Sequence, residues 1–275
     1  MTAAIETPLI TGVDHVVIGV RDLDSGVAAY ESLLARRVAH RYERDGVATA
    51  LIVMANMAVE LMAPSGDGET ARRLSAAIDA SGEGLMSIAF AVSDIERAHR
   101  RIERNGLSPE PINDGEAGAL RWRRFRANTQ AAGGVRLFFI QRETPLSADA
   151  ASDVAALDHL VVRAADMEQA AALFGARLGL DMRLDRMVGD RRLMFFRCGD
   201  LIVEIAEHAA GAGNRLWGLS WRVRDADVTR SRLDGAGFSL SQVRAGMKPG
   251  TRVFTVRDGT CGVPTLMIEL SPKRD

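Results

Sequence analysis

Residues 13–20 form a β-branched apolar run, which predicts a strand. Asp22-Leu23-Asp24 then offers a helix cap, and Leu23, Val27, Tyr30 and Leu34 recur at helical spacing. Three strand-like runs follow at 37–44, 47–55 and 57–63, parted by turn signals at Asp45-Gly46 and Asn56. The same order returns further on. A strand at 85–92 precedes a helix opened by Ser93-Asp94, with Ile95, Ala98 and Ile102 on one face and Asn105-Gly106 as its stop. Strands near 107–112, 121–127 and 134–141 complete it, and segment 70–80 reads as an extra helix joining the two units.

This pattern is itself repeated along the chain. Residues 14–23 read DHVVIGVRDL and residues 158–167 read DHLVVRAADM, an offset of 144. Tyr30 meets Phe174 and Leu34 meets Leu178 at that offset, and 57–61 (MAVEL) meets 201–205 (LIVEI). Residues 85–94 match 216–225 at an offset of 131, and 134–141 match 262–269 at 128. Self-similarity at a near-constant offset marks duplication. The chain is therefore expected to hold four βαβββ modules, at 10–64, 84–142, 156–207 and 215–271. They pair into domains 10–143 and 155–272, with the small, polar, Pro-initiated stretch 144–154 as linker. The fold class is α+β.

Composition narrows the functional classes. The 275 residues are 47% hydrophobic and 26% charged, an ordinary globular mix, and 35 Lys+Arg against 36 Asp+Glu leave a net charge of −1. That balance argues against nucleic acid as the partner, and the basic, aromatic run 118–126 reads as an alternating strand. Cys198 and Cys261 make neither a disulfide framework nor a metal-binding pair. The first six residues lack a leader pattern and no apolar run reaches membrane-spanning length, so a cytoplasmic protein is expected, with no membrane partner. Sheet edges leave room for a homodimer.

Four βαβββ modules, opening on Asp14-His15-Val16-Val17 or Asp158-His159-Leu160-Val161 and closing their first units on Val59-Glu60-Leu61 or Val203-Glu204-Ile205, resemble the vicinal oxygen chelate superfamily. That group includes glyoxalase I, bleomycin-resistance proteins, methylmalonyl-CoA epimerase and extradiol dioxygenases. The resemblance covers about 10–142 and 156–271. It implies two cup-shaped mixed sheets, each with a metal position built from four strands. Carried over, those positions are His15, Glu60, Ser87 and Gln141 in the first half, and His159, Glu204, Gly218 and Glu269 in the second. Ser87 and Gly218 depart from the family's third ligand.

The resemblance thus implies a divalent metal (Fe, Mn, Zn or Ni) on His159, Glu204 and Glu269, with His15, Glu60 and Gln141 as a weaker set. Lyase or isomerase chemistry on a small vicinally oxygenated compound would follow, with Glu204 or Glu269 as base. A ring-cleaving dioxygenase is disfavoured because the second histidine is missing. The alternative is a metal-free protein that binds or sequesters a small molecule. Lys248 and Arg252, in a loop leading into the penultimate strand, are candidates to meet an anionic substrate. His40, His99 and His208 read as strand, helix and loop surface residues, and Trp217 and Trp221 as packing beneath a helix.

Overall fold

A computed structural model describes residues 8–148, 152–208 and 213–270. The first six residues, residues 149–151 of the expected linker and the last residues of the expected second domain lie outside the described residues. The first half contains β1 (Ile10–Gly19), α1 (Leu23–Leu34), β2 (His40–Arg44), β3 (Val47–Val53), β4 (Ala58–Pro64) and α2 (Glu69–Ser81). Then come β5 (Gly84–Val92), α3 (Ile95–Arg104), β6 (Asn113–Ala117), β7 (Leu120–Arg126) and β8 (Leu137–Arg142). The second half has β9 (Val154–Ala164), α4 (Met167–Ala171, widening into a π-helical turn over Ala172–Arg177), β10 (Asp181–Val188), β11 (Arg191–Cys198) and β12 (Leu201–Glu207). It ends with β13 (Arg215–Val223), α5 (Ala226–Gly235), β14 (Arg244–Ala245), β15 (Arg252–Val256) and β16 (Thr265–Glu269).

Four of these helices start at an aspartate in a matched position of the repeat. The side chains of Asp22, Asp94, Asp166 and Asp225 accept backbone N–H bonds at 2.8–2.9 Å from Ser25, Arg97, Gln169 and Val228 respectively. Such a cap contributes about 1 kcal/mol.

The strands form two eight-stranded mixed sheets, ordered β2-β3-β4-β1-β5-β8-β7-β6 and β10-β11-β12-β9-β13-β16-β15-β14. In each, the first strand of the half lies parallel to the fourth and antiparallel to the fifth, so two modules meet back to back. The expected strand at 107–112 does not form; its place is taken by β6 at Asn113–Ala117. Pro109 and Pro111 have no N–H for a ladder and Ser108 is left-handed (φ 41°), so pairing starts only beyond them.

Helices cover one face of each sheet, and the two helix-side layers merge into one apolar core that includes Tyr30, Phe90, Phe139, Phe174, Trp221 and Phe254. Reciprocal contacts lock the halves together. Arg177 donates to the carbonyls of Asn105, Gly106 and Ala131, while Arg232 donates to those of Ser32 and Leu33. Gly199 lies in this seam at φ 61°, where a Cβ would stand 2.6 Å from the Thr11 carbonyl oxygen. Gly199→Ala is therefore expected to lower unfolding stability by about 1–3 kcal/mol. An unchanged midpoint in urea or heat would show that the seam is looser than this.

One element breaks the symmetry. Helix α2 lays Ala71, Leu74 and Ile78 over Val47, Met62 and Met86, closing one end of the first sheet's other face. In the second half only seven residues separate β12 from β13, too few for a helix of that length.

Candidate functional site

Each sheet face turned away from the helices brings one histidine and one glutamate together. Along β1, Val16 and Ile18 enter the core, as does Val20 just past its end, which leaves His15 and Val17 on the opposite face; β9 repeats this with His159 and Val161.

In the first half, His15 Nδ1 lies 2.6 Å from Asp14 and its Nε2 lies 3.1 Å from Glu60. The Tyr42 hydroxyl donates to Glu60 at 2.5 Å, and Arg142 grips Asp14 with two bonds of 2.7 Å. Burial alone would lower the His15 pKa, but the Glu60 charge and the bonds to Asp14 and Glu60 prevail and raise it to about 9. Glu60 is held down at about 2, burial being outweighed by the His15 charge and by the His15 and Tyr42 bonds. Asp14 also sits at about 2, where burial is overcome by His15 and Arg142. Two carboxylates, one imidazolium and one guanidinium thus cancel in a closed, satisfied network.

This first cup is also filled. Leu146, on the segment after β8, packs against Leu51, Val53 and Ala58 of one module and Ala89, Trp122 and Ile140 of the other. A cavity of about 610 Å³ opens between the edge strands β2 and β6, bounded by Tyr42, Arg44, Asp114, Glu116 and Arg121. That both edge strands wall it shows how far the sheet curls. Its charges are mixed, Arg121 pairing with Glu116 at 3.2 Å.

The second half keeps the frame and loosens it. His159 Nδ1 stands 2.9 Å from Asp158, whose other oxygen is held by Arg222 at 2.9 Å. His159 Nε2 faces the Ser220 hydroxyl at 2.7 Å and Glu204 at 3.4 Å. The position of Tyr42 is taken, at offset 144, by Arg186, which forms no ion pair with Glu204 among the described residues. Burial raises the Glu204 pKa, with the His159 charge pulling the other way.

Glu269 and Gln141 lie elsewhere. Gln141 accepts the Ile95 N–H at 3.0 Å, and Glu269 accepts the Ala226 N–H at 2.8 Å, each at the N-terminus of its module's helix. Arg252 sits 3.3 Å from Glu269 and also bonds Asp227, so it serves this helix-side cluster rather than a cup mouth. Lys248 is exposed in the loop before β15. Accordingly, Glu269→Ala is expected to cost about 1–2 kcal/mol of stability through the lost helix-start bond, while leaving ligand binding in the second cup unchanged. Parallel unfolding and binding titrations read the two effects separately.

The family model for the glyoxalase-like domain matches residues 13–156, just over half of the chain. The chain belongs to the glyoxalase-like domain family. No curated protein matches this glyoxalase-like sequence. Its fold is similar to that of a mutant 4-hydroxymandelate synthase from Streptomyces coelicolor, with a TM-score of 0.72 and 12% identity over 96% of this chain and 94% of that one. It is also similar to the Mn(II)-bound glyoxalase from Novosphingobium aromaticivorans, at 0.68 and 16% over 97% and 84%. A xylose isomerase-like TIM barrel/4-hydroxyphenylpyruvate dioxygenase fusion protein matches at 0.71 and 13%; there the chain is covered entirely but spans about half (51%) of the longer protein. Identities this low speak for the fold alone.

Does the donor set of the glyoxalase-like protein fit the metal implied by its fold? Among the described residues no group of three His, Cys, Asp or Glu side chains gathers where it could hold an ion. Each cup brings together one histidine and one glutamate. The side chain opposite His159 is Ser220, not the expected Gly218, and opposite His15 it is Ala89. Two protein donors are too few for a resident divalent metal, so the donor set does not fit it. Asp14, Tyr42, Asp158, Ser220 and Arg222 were not singled out from sequence, although the Asp-His pair repeated at offset 144 was a usable signal. Trp221 is buried beneath the helices as expected. Trp217 is instead half-buried under the Arg163 guanidinium, 4.0 Å from its ring, because a bulge between Leu216 and Gly218 breaks the alternation.

Proposed function

We propose that this glyoxalase-like protein is a metal-independent enzyme of the isomerase or lyase type. It would transfer a proton on a small oxygenated compound held in the second cup. The carrying observation is the contrast between Glu60 and Glu204. Glu60 is fixed by His15 and Tyr42 and held fully ionised; among the described residues Glu204 is in contact with one charged partner, His159 at 3.4 Å, and burial strengthens it as a base against the His159 and Arg186 charges.

In this reading Glu204 removes the proton from a hydroxyl-bearing carbon beside a carbonyl and returns it to the former carbonyl carbon, while His159 Nε2 carries the hydroxyl proton to the carbonyl oxygen, so that the two oxygen functions exchange places. Alternatively, His159 Nε2 protonates a departing hydroxyl. Asp158, anchored by Arg222, holds the imidazole so that Nε2 faces the cup. A second reading, capture without turnover, is favoured by Ser220, which already occupies Nε2.

The test is NMR of small 2-oxo acids, 2-hydroxy acids and diols in deuterated water, with and without EDTA. Deuterium entry beside the carbonyl, indifferent to EDTA, is expected. A strict requirement for added Mn²⁺, Fe²⁺, Zn²⁺ or Ni²⁺ would overturn metal independence, and binding without exchange or turnover would leave capture as the function.

A further inference from the structure

The two cups differ most at the end where α2 sits. In the first half that end is built from the paired positions Gly19 and Gly84 and Val47 and Pro64, with α2 packed on Val47 and beside Gly19. The repeat offsets place Arg163, Arg191, His208 and Arg215 at the same four positions in the second half. The offset itself falls from 144 to 131 there, a loss of 13 residues, which is the length of α2. The covering helix is gone, and the ground it covered is basic.

The register places these four side chains side by side. Arg163 on β9 pairs directly with Arg215 on β13 and with Ala206 on β12. Leu193 pairs with Ala206, and two residues further along the same antiparallel register Arg191 would meet His208. Arg163 stands two and four residues beyond Val161 and His159, on the same face, so the cluster begins roughly 7–13 Å along the strand from the acid–base pair.

Nothing described neutralises this group. Among the described residues Arg163, Arg191 and Arg215 take part in no ion pair, and Arg163 lies over the Trp217 ring. Burial, then the charges of Arg215 and Arg191, push the Arg163 pKa down. Burial, then the charges of Arg163, Arg215 and Arg191, lower that of His208. Three guanidiniums sharing a concave end without an acidic partner repel one another until an anion joins them.

We infer that Arg163, Arg191 and Arg215 form an oxyanion subsite at the open end of the second cup, which takes the carboxylate or phosphate of a small ligand. Its occupant is then an elongated acid whose charged end lies on the arginines and whose oxygenated carbon reaches His159 and Glu204. Only that last step rests on the proposed proton transfer; anion capture stands without it. Guanidinium forks suit both oxyanions, and the spacing to the acid–base pair limits the ligand to a small molecule.

The test titrates inorganic phosphate and succinate separately, with chloride held constant, into the full chain. It reads calorimetry and the Trp217 emission, with Trp217→Phe as the blank. Saturable 1:1 binding of at least one probe is expected, weakened at least tenfold in the Arg163→Met/Arg215→Met double variant and preserved in Glu204→Gln. The stronger of the two probes identifies the group. If the double variant fails to fold, Arg191→Met at an exposed position is expected to weaken binding severalfold by itself. Absence of small-anion binding, or binding indifferent to all three arginines, overturns the subsite. So does binding confined to duplex DNA or anionic phosphatidylglycerol vesicles. Anion binding that survives in a protein showing no proton exchange overturns the proposed reaction alone.

Discussion

Glu204→Gln is expected to reduce proton exchange or turnover in the second cup by about 10²–10⁴-fold while ligand binding stays within a few fold. Glutamine keeps the shape and a hydrogen-bonding oxygen but cannot take up a proton. His159→Gln is expected to fall in the same range. The matched substitution in the first half, Glu60→Gln, is expected to leave turnover unchanged once the protein is folded, because Glu60 is already fully engaged by His15 and Tyr42. The pH profile carries the sign. Glu204 acts as a base only when ionised, and burial raises its pKa, so activity is expected to rise with pH through a point above the ordinary carboxylate value of 4.5. A profile flat across that region, or equal losses from Glu60→Gln and Glu204→Gln, would remove Glu204 from the base role.

The largest stability effect is expected in the other cup. Removing one partner of the first-half network, by Glu60→Leu or His15→Leu, leaves an uncompensated buried charge and is expected to cost about 3–5 kcal/mol. The double substitution His15→Leu/Glu60→Leu is expected to cost less than the sum of the two, since it removes both charges. The network should also give stability a defined pH window. The pKa of His15 is raised from 6.5 to about 9, so its contribution is complete below 6.5 and is lost as pH rises through about 9. Those of Glu60 and Asp14 are lowered from 4.5 and 3.8 to about 2, so theirs are complete above those values and are lost as pH falls toward 2. The gap between wild type and Glu60→Leu should therefore be widest between about 4.5 and 6.5. Urea unfolding at pH 3, 5.5 and 9.5 measures it; a gap independent of pH would mean that the pair is not charged in the folded protein.

These two cups descend from one pattern, and their divergence has a simple physical form. In the first half, Tyr42 locks the glutamate, Leu146 fills the space above it, and α2 seals one end over apolar ground. In the second, Arg186 replaces the locking tyrosine, the sealing helix is missing, and the exposed end carries arginines. Duplication lets one copy hold the fold together while the other keeps an open face. The shared core and the reciprocal Arg177 and Arg232 contacts tie the stability of the open copy to that of the sealed one.

The chain's own pattern determined the modules, their pairing and the His-Glu combination at each cup floor. Duplication preserved spacing between His15 and Glu60 and between His159 and Glu204, and on parallel neighbouring strands that spacing keeps both side chains on one face. It did not determine the partners of Gln141 and Glu269. On a strand one step in position reverses the face, and these two point to a helix start instead of a cup. Nor could it show that Ser220 rather than Gly218 faces His159, because bulges in β13 set that register. The basic row, three arginines and His208, lay in plain view on four different segments, but only the sheet order β11-β12-β9-β13 makes them neighbours. Periodicity along the chain reports which face a residue occupies; which charges meet across that face is decided when distant strands pair.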